Sequence, residues 1–118
     1  MKKTAIRKDP LKGRGVFAIE GFKRGELVEC CELILMDLKE VRDTLEGYVY
    51  QYSKNKAAVA LGNGSLFNHS KKANCEFYFH YAKKLLYVRA KKLIPPGQEI
   101  TINYGYDKAL KERFKIRE

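Results

Sequence analysis

The sequence predicts a mainly β fold with short helices, and three observations predict it. Apolar and aromatic residues fall in short runs, and few of them repeat at helical spacing. Glycine- or proline-bearing turns punctuate the chain at Asp9 to Gly15, Gly21 to Glu26, Gly62 to Gly64 and Pro95 to Gln98. The runs Glu76 to Tyr81 and Leu85 to Ala90 are rich in residues that suit strands and are separated by Ala82-Lys83-Lys84, which reads as an antiparallel hairpin.

In chain order, Thr4 to Lys8 alternates weakly and reads as a first strand, and Val16-Phe17-Ala18 resumes extended structure after the first turn. Leu27 to Met36 is long, apolar and β-compatible, enough for one or two strands across the core. Leu38, Val41 and Leu45 lie at helical spacing, so Asp37 to Leu45 reads as a short surface helix that Asp37 caps. Tyr48, Tyr50 and Tyr52 alternate and would share one face of a strand, either as a packed aromatic face or with one ring lining a pocket. Leu66-Phe67 is an apolar lead-in that breaks into Asn68-His69-Ser70, the way a core strand delivers polar groups to a pocket rim. Glu99 to Tyr104 is the last strand, and Leu110 and Phe114 mark a terminal helix over Asp107 to Arg117.

A chain of 118 residues is expected to form a single domain over 1–118. The net charge of +10 and the pI near 9.6 fit an anionic partner or, equally, a solvated basic surface. No apolar run reaches the ~18 residues of a membrane span, so no membrane partner is expected, and the N-terminus lacks the apolar core of a signal peptide. Three cysteines, an odd number with Cys30 and Cys31 adjacent, point to a reduced, intracellular protein (cytoplasm, nucleus or nucleoid), with secretion into a host cell left open. No Cys/His spacing suggests a metal site.

Taken alone, the side chains allow more than one chemistry. Gly13-Arg14-Gly15 reads as a hairpin turn or as a loop pressed against a ligand; it lacks the third glycine and the helix of a dinucleotide fingerprint. His69 beside Asn68 is structural or functional, and neither Ser65 nor Ser70 has the setting of a hydrolase nucleophile. Tyr104 ends a strand and is followed by Gly105, which lets the chain turn away and leaves the ring presented to orient a substrate amine.

In order, the motifs Lys12-Gly13-Arg14-Gly15-Val16-Phe17-Ala18, Phe22-Lys23-Arg24-Gly25-Glu26, Phe67-Asn68-His69-Ser70 with Asn74, Val88 to Glu99, and Ile100-Thr101-Ile102-Asn103-Tyr104-Gly105-Tyr106-Asp107 resemble the SET-domain protein lysine methyltransferases. The resemblance spans about residues 4–108 and is closest in size to the small stand-alone members, a viral histone methyltransferase among them. It implies small β-sheets around a C-terminal pseudoknot. It also implies S-adenosylmethionine as cofactor, held by Lys12, Gly13, Arg14, Gly15, Tyr48, Asn68, His69 and Tyr104, with Tyr104 also the catalytic tyrosine. Tyr50, Ile102 and Tyr106 would line the channel for a lysine of a histone or histone-like DNA-packaging protein, and the basic surface would contact nucleic acid.

Two departures stand out. Cys30-Cys31-Glu32 replaces the Tyr-x-Gly-Glu of many members, and no zinc-binding segment follows the domain. Lys108 to Glu118, through Phe114, or a second subunit in a homodimer, would then cover the channel, with 109–118 a short helix or tail. The alternative readings are a non-catalytic SET-like module that binds a peptide or nucleic acid, and a small basic nucleic-acid-binding β domain in which the strands around Phe77-Tyr78-Phe79 interleave aromatic and basic residues.

Overall fold

The computed structural model describes residues 3–10, 13–42, 45 and 48–103. Their strands are β1 (Thr4–Asp9), β2 (Gly13–Ala18), β3 (Leu27–Asp37), β4 (Val49–Gln51), β5 (Lys56–Ala60), β6 (Asn68–His69), β7 (Cys75–His80), β8 (Leu85–Ala90) and β9 (Glu99–Ile102). They lie in the lateral order β1-β2-β9-β7-β8-β3-β5-β4, with β6 joined to β9 off that path. The expected mainly β fold with short helical turns is the fold observed.

Two strands are shared between patches and divide this ladder into small sheets. The 11-residue β3 pairs with β8 through Leu27 to Glu32 and with β5 through Leu33 to Asp37, so the run read as one or two strands is one strand serving two sheets. A register shift between Leu27 and Glu29 marks an irregularity of the kind that bends a strand. β9 is shared in the same way between β2 on one side and β7 on the other. The hairpin expected after Asn74 is present, with Tyr78 directly opposite Tyr87 and Lys84 in the turn at φ 54°.

Strand alternation builds the core. Leu86, Val88 and Ala90 of β8, Ile100 and Ile102 of β9, and Val16 and Ala18 of β2 face inward and are buried together with Phe22, Phe67 and Ile94. Burial of each large aliphatic or aromatic side chain contributes about 1.5–3 kcal/mol, so this cluster is the main source of stability. Val41, Val49 and Ala57 form a smaller second cluster.

The central feature is how β9 is held. It runs antiparallel to β2, with Val16 opposite Ile100, and parallel to both β6 and β7, with Asn68 opposite Thr101 and Ile102 opposite both His69 and Cys75. Ser70 N–H donates to the Ile102 carbonyl at 2.9 Å. The buried Asn74 side chain works as a bracket: it accepts from Thr101 N–H at 3.0 Å and donates to the Glu99 carbonyl at 2.8 Å. The expected pseudoknot places a C-terminal strand between segments from early and middle parts of the chain, and β9 occupies that position. The segment from Tyr104 onward, including the expected terminal helix, lies outside the described residues.

Two local expectations are corrected. The helix expected over Asp37 to Leu45 is a three-residue 3-10 turn, Leu38–Glu40, inside which the Glu40 carboxylate accepts from Asp37 N–H at 3.1 Å. Val41 then turns extended, at φ −75° and ψ 118°, and enters the second core cluster, which stops the helix. The expected core strand through Leu66-Phe67 is instead a 3-10 turn over Gly64–Leu66, followed by the two-residue β6. Ser65 Oγ accepts from Ala60 N–H at 2.8 Å, and Leu66 N–H donates back to Asn63, so local turn bonds take the groups a strand would use. Among the described residues no helix is long and apolar enough to cross a membrane.

Replacing Asn74 by Ala strands a partly buried N–H on Thr101 and a partly buried carbonyl on Glu99, and leaves a gap where a buried side chain stood. The expected cost is about 2–4 kcal/mol of unfolding free energy by urea denaturation, against less than about 0.5 kcal/mol for the exposed Lys72→Ala.

Candidate active site

The site is built where β2, β6 and β9 meet. Gly13 takes φ 89°, a conformation that favours glycine, and starts β2. Arg14 follows, and its main-chain carbonyl accepts from Asn68 Nδ2 at 2.9 Å. The same nitrogen donates to Glu99 Oε2 at 2.6 Å. One amide group of β6 therefore ties the glycine loop to the first residue of β9.

Gly15 makes this approach possible. A Cβ on it would fall 2.8 Å from Asn68 Nδ2 and would clash with the Glu99 carboxylate. Both groups are held by their mutual hydrogen bond, so neither is a loose chain end that can swing aside. Gly15 leaves room for Asn68 and Glu99, and β1 and β2 pair as the hairpin that was one of the two readings of this segment.

Across the loop, Arg14 lies over the Tyr48 ring at cation–π distance. Its guanidinium carbon is 6.0 Å from the ring centroid and Nη2 donates to the Tyr48 hydroxyl at 3.4 Å. A planar cation against an aromatic face forms a flat, partly exposed wall. His69 is 3% exposed, and its main chain pairs with Ile102. The structure thus brings together Gly13, Arg14, Gly15, Tyr48, Asn68 and His69 from the residues expected to hold a cofactor. Lys12, Tyr104 and Tyr106 lie outside the described residues.

The other two expected channel residues sit deeper. Tyr50 is 4% exposed and donates its hydroxyl to the Gly64 carbonyl at 2.6 Å, while its ring meets Phe77 edge to face at a centroid distance of 5.0 Å. The contacts continue through Phe79, Tyr52 and Tyr81, an aromatic ladder that begins inside the core and reaches the surface at the end of β7. Ile102 is fully buried at the last turn of β9 into the segment that carries Tyr104.

Glu99 was absent from the sequence-based site. A glutamate opening a strand after Pro95-Pro96-Gly97-Gln98 reads as a solvated turn residue, and its partner is 31 positions away. The one available signal was its place in the Glu-x-x-x-x-Tyr-Gly spacing. Glu76 sits opposite Arg89, and Glu29 lines a separate cavity of about 340 Å3 with Lys3, Thr4, Phe22 and Asn63. The ion pair between Lys3 and Glu26 holds the Glu26 carboxyl below its ordinary value, chiefly through their hydrogen bond.

All three cysteines are free. Cys31 packs under Gly64, and burial pushes its thiol up to about 12; burial does the same for Cys75, also to about 12. Both stay protonated at any physiological pH and are poor nucleophiles.

A SET-domain family model matches residues 13–105 of the chain. A loop of close glycines, an Asn-His pair and a C-terminal strand joined through one amide define a SET-type fold. The chain belongs to the SET-domain family, a family of protein-lysine methyltransferases.

It is 30% identical over 105 residues to the "Histone-lysine N-methyltransferase, H3 lysine-37 specific" of Schizosaccharomyces pombe, covering 85% of this chain and 71% of that protein. It is 30% identical over 112 residues to N-lysine methyltransferase KMT5A-A of Xenopus laevis, of which it spans 33%. Among solved structures it superposes on a candidate histone methyltransferase of Plasmodium falciparum with a TM-score of 0.76 and 33% identity, covering 92% of this chain and 98% of that one. A chain of the ctPRC2 complex shares the fold, with a TM-score of 0.75 at 22% identity, over 89% of this chain and 15% of that chain.

Two outcomes follow. In the native protein at pH 8, iodoacetamide modifies Cys30 alone by mass spectrometry, and all three thiols react after denaturation in urea. Gly15→Ala lowers the thermal midpoint by several degrees, because the added methyl forces Asn68 and Glu99 apart, whereas Gly25→Ala, where nothing meets the methyl, costs only its positive φ.

Proposed function

We propose that the chain is an S-adenosylmethionine-dependent protein-lysine N-methyltransferase acting on a histone or a histone-like DNA-packaging protein inside the cell. The observation that supports this most is the joining of the Arg14 carbonyl, Asn68 and Glu99 at the head of the strand that leads to Tyr104.

The residues present fit the cofactor. A loop carbonyl, an amide oxygen and a carboxylate suit an amino-acid end bearing an ammonium, and the Arg14-Tyr48 wall suits a flat purine. Gly13, Arg14, Gly15, Tyr48, Asn68 and His69, with Lys12 beside them, would hold it. When bound, it supplies an electrophilic methyl group on a cationic sulfonium.

The protein's own contribution is positioning and desolvation. A free lysine has a pKa of about 10.4 and must present a neutral amine to accept a methyl group. An aromatic channel excludes water and disfavours the ammonium, and the cationic sulfonium beside it acts in the same direction. Tyr104 orients the amine lone pair through its hydroxyl and needs no unusual basicity, since alignment supplies most of the acceleration. Carbonyl and hydroxyl oxygens around the methyl stabilise its partial charge through weak C–H···O contacts. The +10 charge favours a substrate presented on nucleic acid, because a lysine-rich tail alone would be repelled.

Incubation with labelled S-adenosylmethionine and core histones tests this. Label is expected on lysine, with Tyr104→Phe lowering the rate at least about a hundredfold at unchanged cofactor affinity. Cofactor binding without transfer to any lysine protein would favour a non-catalytic module. Absence of cofactor binding would contradict the assignment outright.

A further inference from the structure

We propose that Glu99 is a positioning residue that fixes the flip state of the Asn68 side-chain amide and so presents the amide oxygen to the ammonium group of the cofactor. The inference rests on the cofactor assignment above and names a residue that acts through Asn68.

The geometry decides which way the amide faces. Both groups at the nitrogen end of Asn68 are pure acceptors, the Arg14 carbonyl at 2.9 Å and the Glu99 carboxylate at 2.6 Å. The amide has two N–H donors, and both are used. Rotating it by about 180° would set its oxygen against two acceptors, one of them charged, so that state is strongly disfavoured. The oxygen is therefore turned away from β2 and β9, and Asn68 is half-buried, which leaves the group within reach of a ligand. The Arg14 carbonyl alone holds one N–H through a neutral bond; the second bond, to Glu99, is charge-assisted and about twice as strong.

The surroundings hold Glu99 in place for this role. Its backbone pairs with Phe17 of β2, and its carbonyl accepts from Asn74 Nδ2 at 2.8 Å. Gly15 leaves its carboxylate room beside the amide.

The test combines calorimetric affinity for S-adenosylmethionine with side-chain amide spectra of Asn68 in the ligand-free protein. Glu99→Ala is expected to weaken binding about tenfold, the loss of one charge-assisted hydrogen bond. Glu99→Gln keeps an acceptor and is expected to stay within about threefold of the parent. On an Asn68→Ala background, Glu99→Ala is expected to add less than about twofold, because its partner is already gone. In the spectra, both amide protons of Asn68 are shifted and protected from exchange in the parent, and one loses its protection in Glu99→Ala.

If Glu99→Ala fails to fold, Glu99→Asp, one methylene short of Asn68, takes its place with the same expected weakening. Unchanged affinity in the folded variant, or an equal loss with and without Asn68, overturns the proposal. A parent protein that binds no cofactor sinks the functional assignment itself, and the Asn68 spectra then still decide whether Glu99 sets the amide.

Discussion

The structure depends on one side-chain amide that satisfies two acceptors drawn from opposite ends of the chain. Asn68 reaches the Arg14 carbonyl 54 positions before it and the Glu99 carboxylate 31 positions after it. Local propensity cannot make such a contact; only the placement of β9 between β2 and the β6–β7 segment can. Asn74 performs the matching task for the main chain of β9. Two asparagines six positions apart thus hold the strand that ends at the Tyr104 segment, one from its backbone side and one from its site side.

That arrangement gathers polar groups from three distant parts of the chain at one place. The larger of the two apolar clusters lies around β2, β8 and β9, and the polar bracket sits at its rim, where water would otherwise compete for the same groups. A buried amide without partners would be costly in so small a core, and the Asn74 amide is paired at both its oxygen and its nitrogen. The glycines serve the same end. Gly13 supplies a backbone angle and Gly15 supplies space, so β2 approaches Asn68 and Glu99 closely. The aromatic ladder from Tyr50 through Phe79 to Tyr81 stiffens the neighbouring sheet and leads from the core to the surface.

Much of this was legible in the residues, for identifiable reasons. The β7–β8 hairpin shows in the sequence because alternation and turn residues agree there. The glycine loop and Asn68-His69 show because their order and spacing are distinctive. The helix expected after Asp37 failed because its apolar spacing is shared by a turn whose Val41 enters a second core cluster. The strand expected through Leu66 failed because Ser65 and Asn63 offer local hydrogen bonds that a periodicity argument does not weigh. The burial of Tyr50 followed from the position of the Gly64 carbonyl, a contact 14 positions away. Glu99 was missed because a charged residue opening a strand carries no mark of the amide it will meet. In each case the missing information was a tertiary contact.

The central claim is that the glycine loop, the Asn-His pair and the head of β9 form one cofactor cradle. Titration of the 15N-labelled protein with S-adenosylhomocysteine tests it most directly. The account predicts that the largest amide shift changes fall on Gly13, Gly15, Tyr48, Asn68, His69 and the first residues of β9, saturating together with one affinity. Shift changes concentrated elsewhere, such as the cavity beside Glu29 and Asn63, or saturation at different affinities in the three segments, would contradict it.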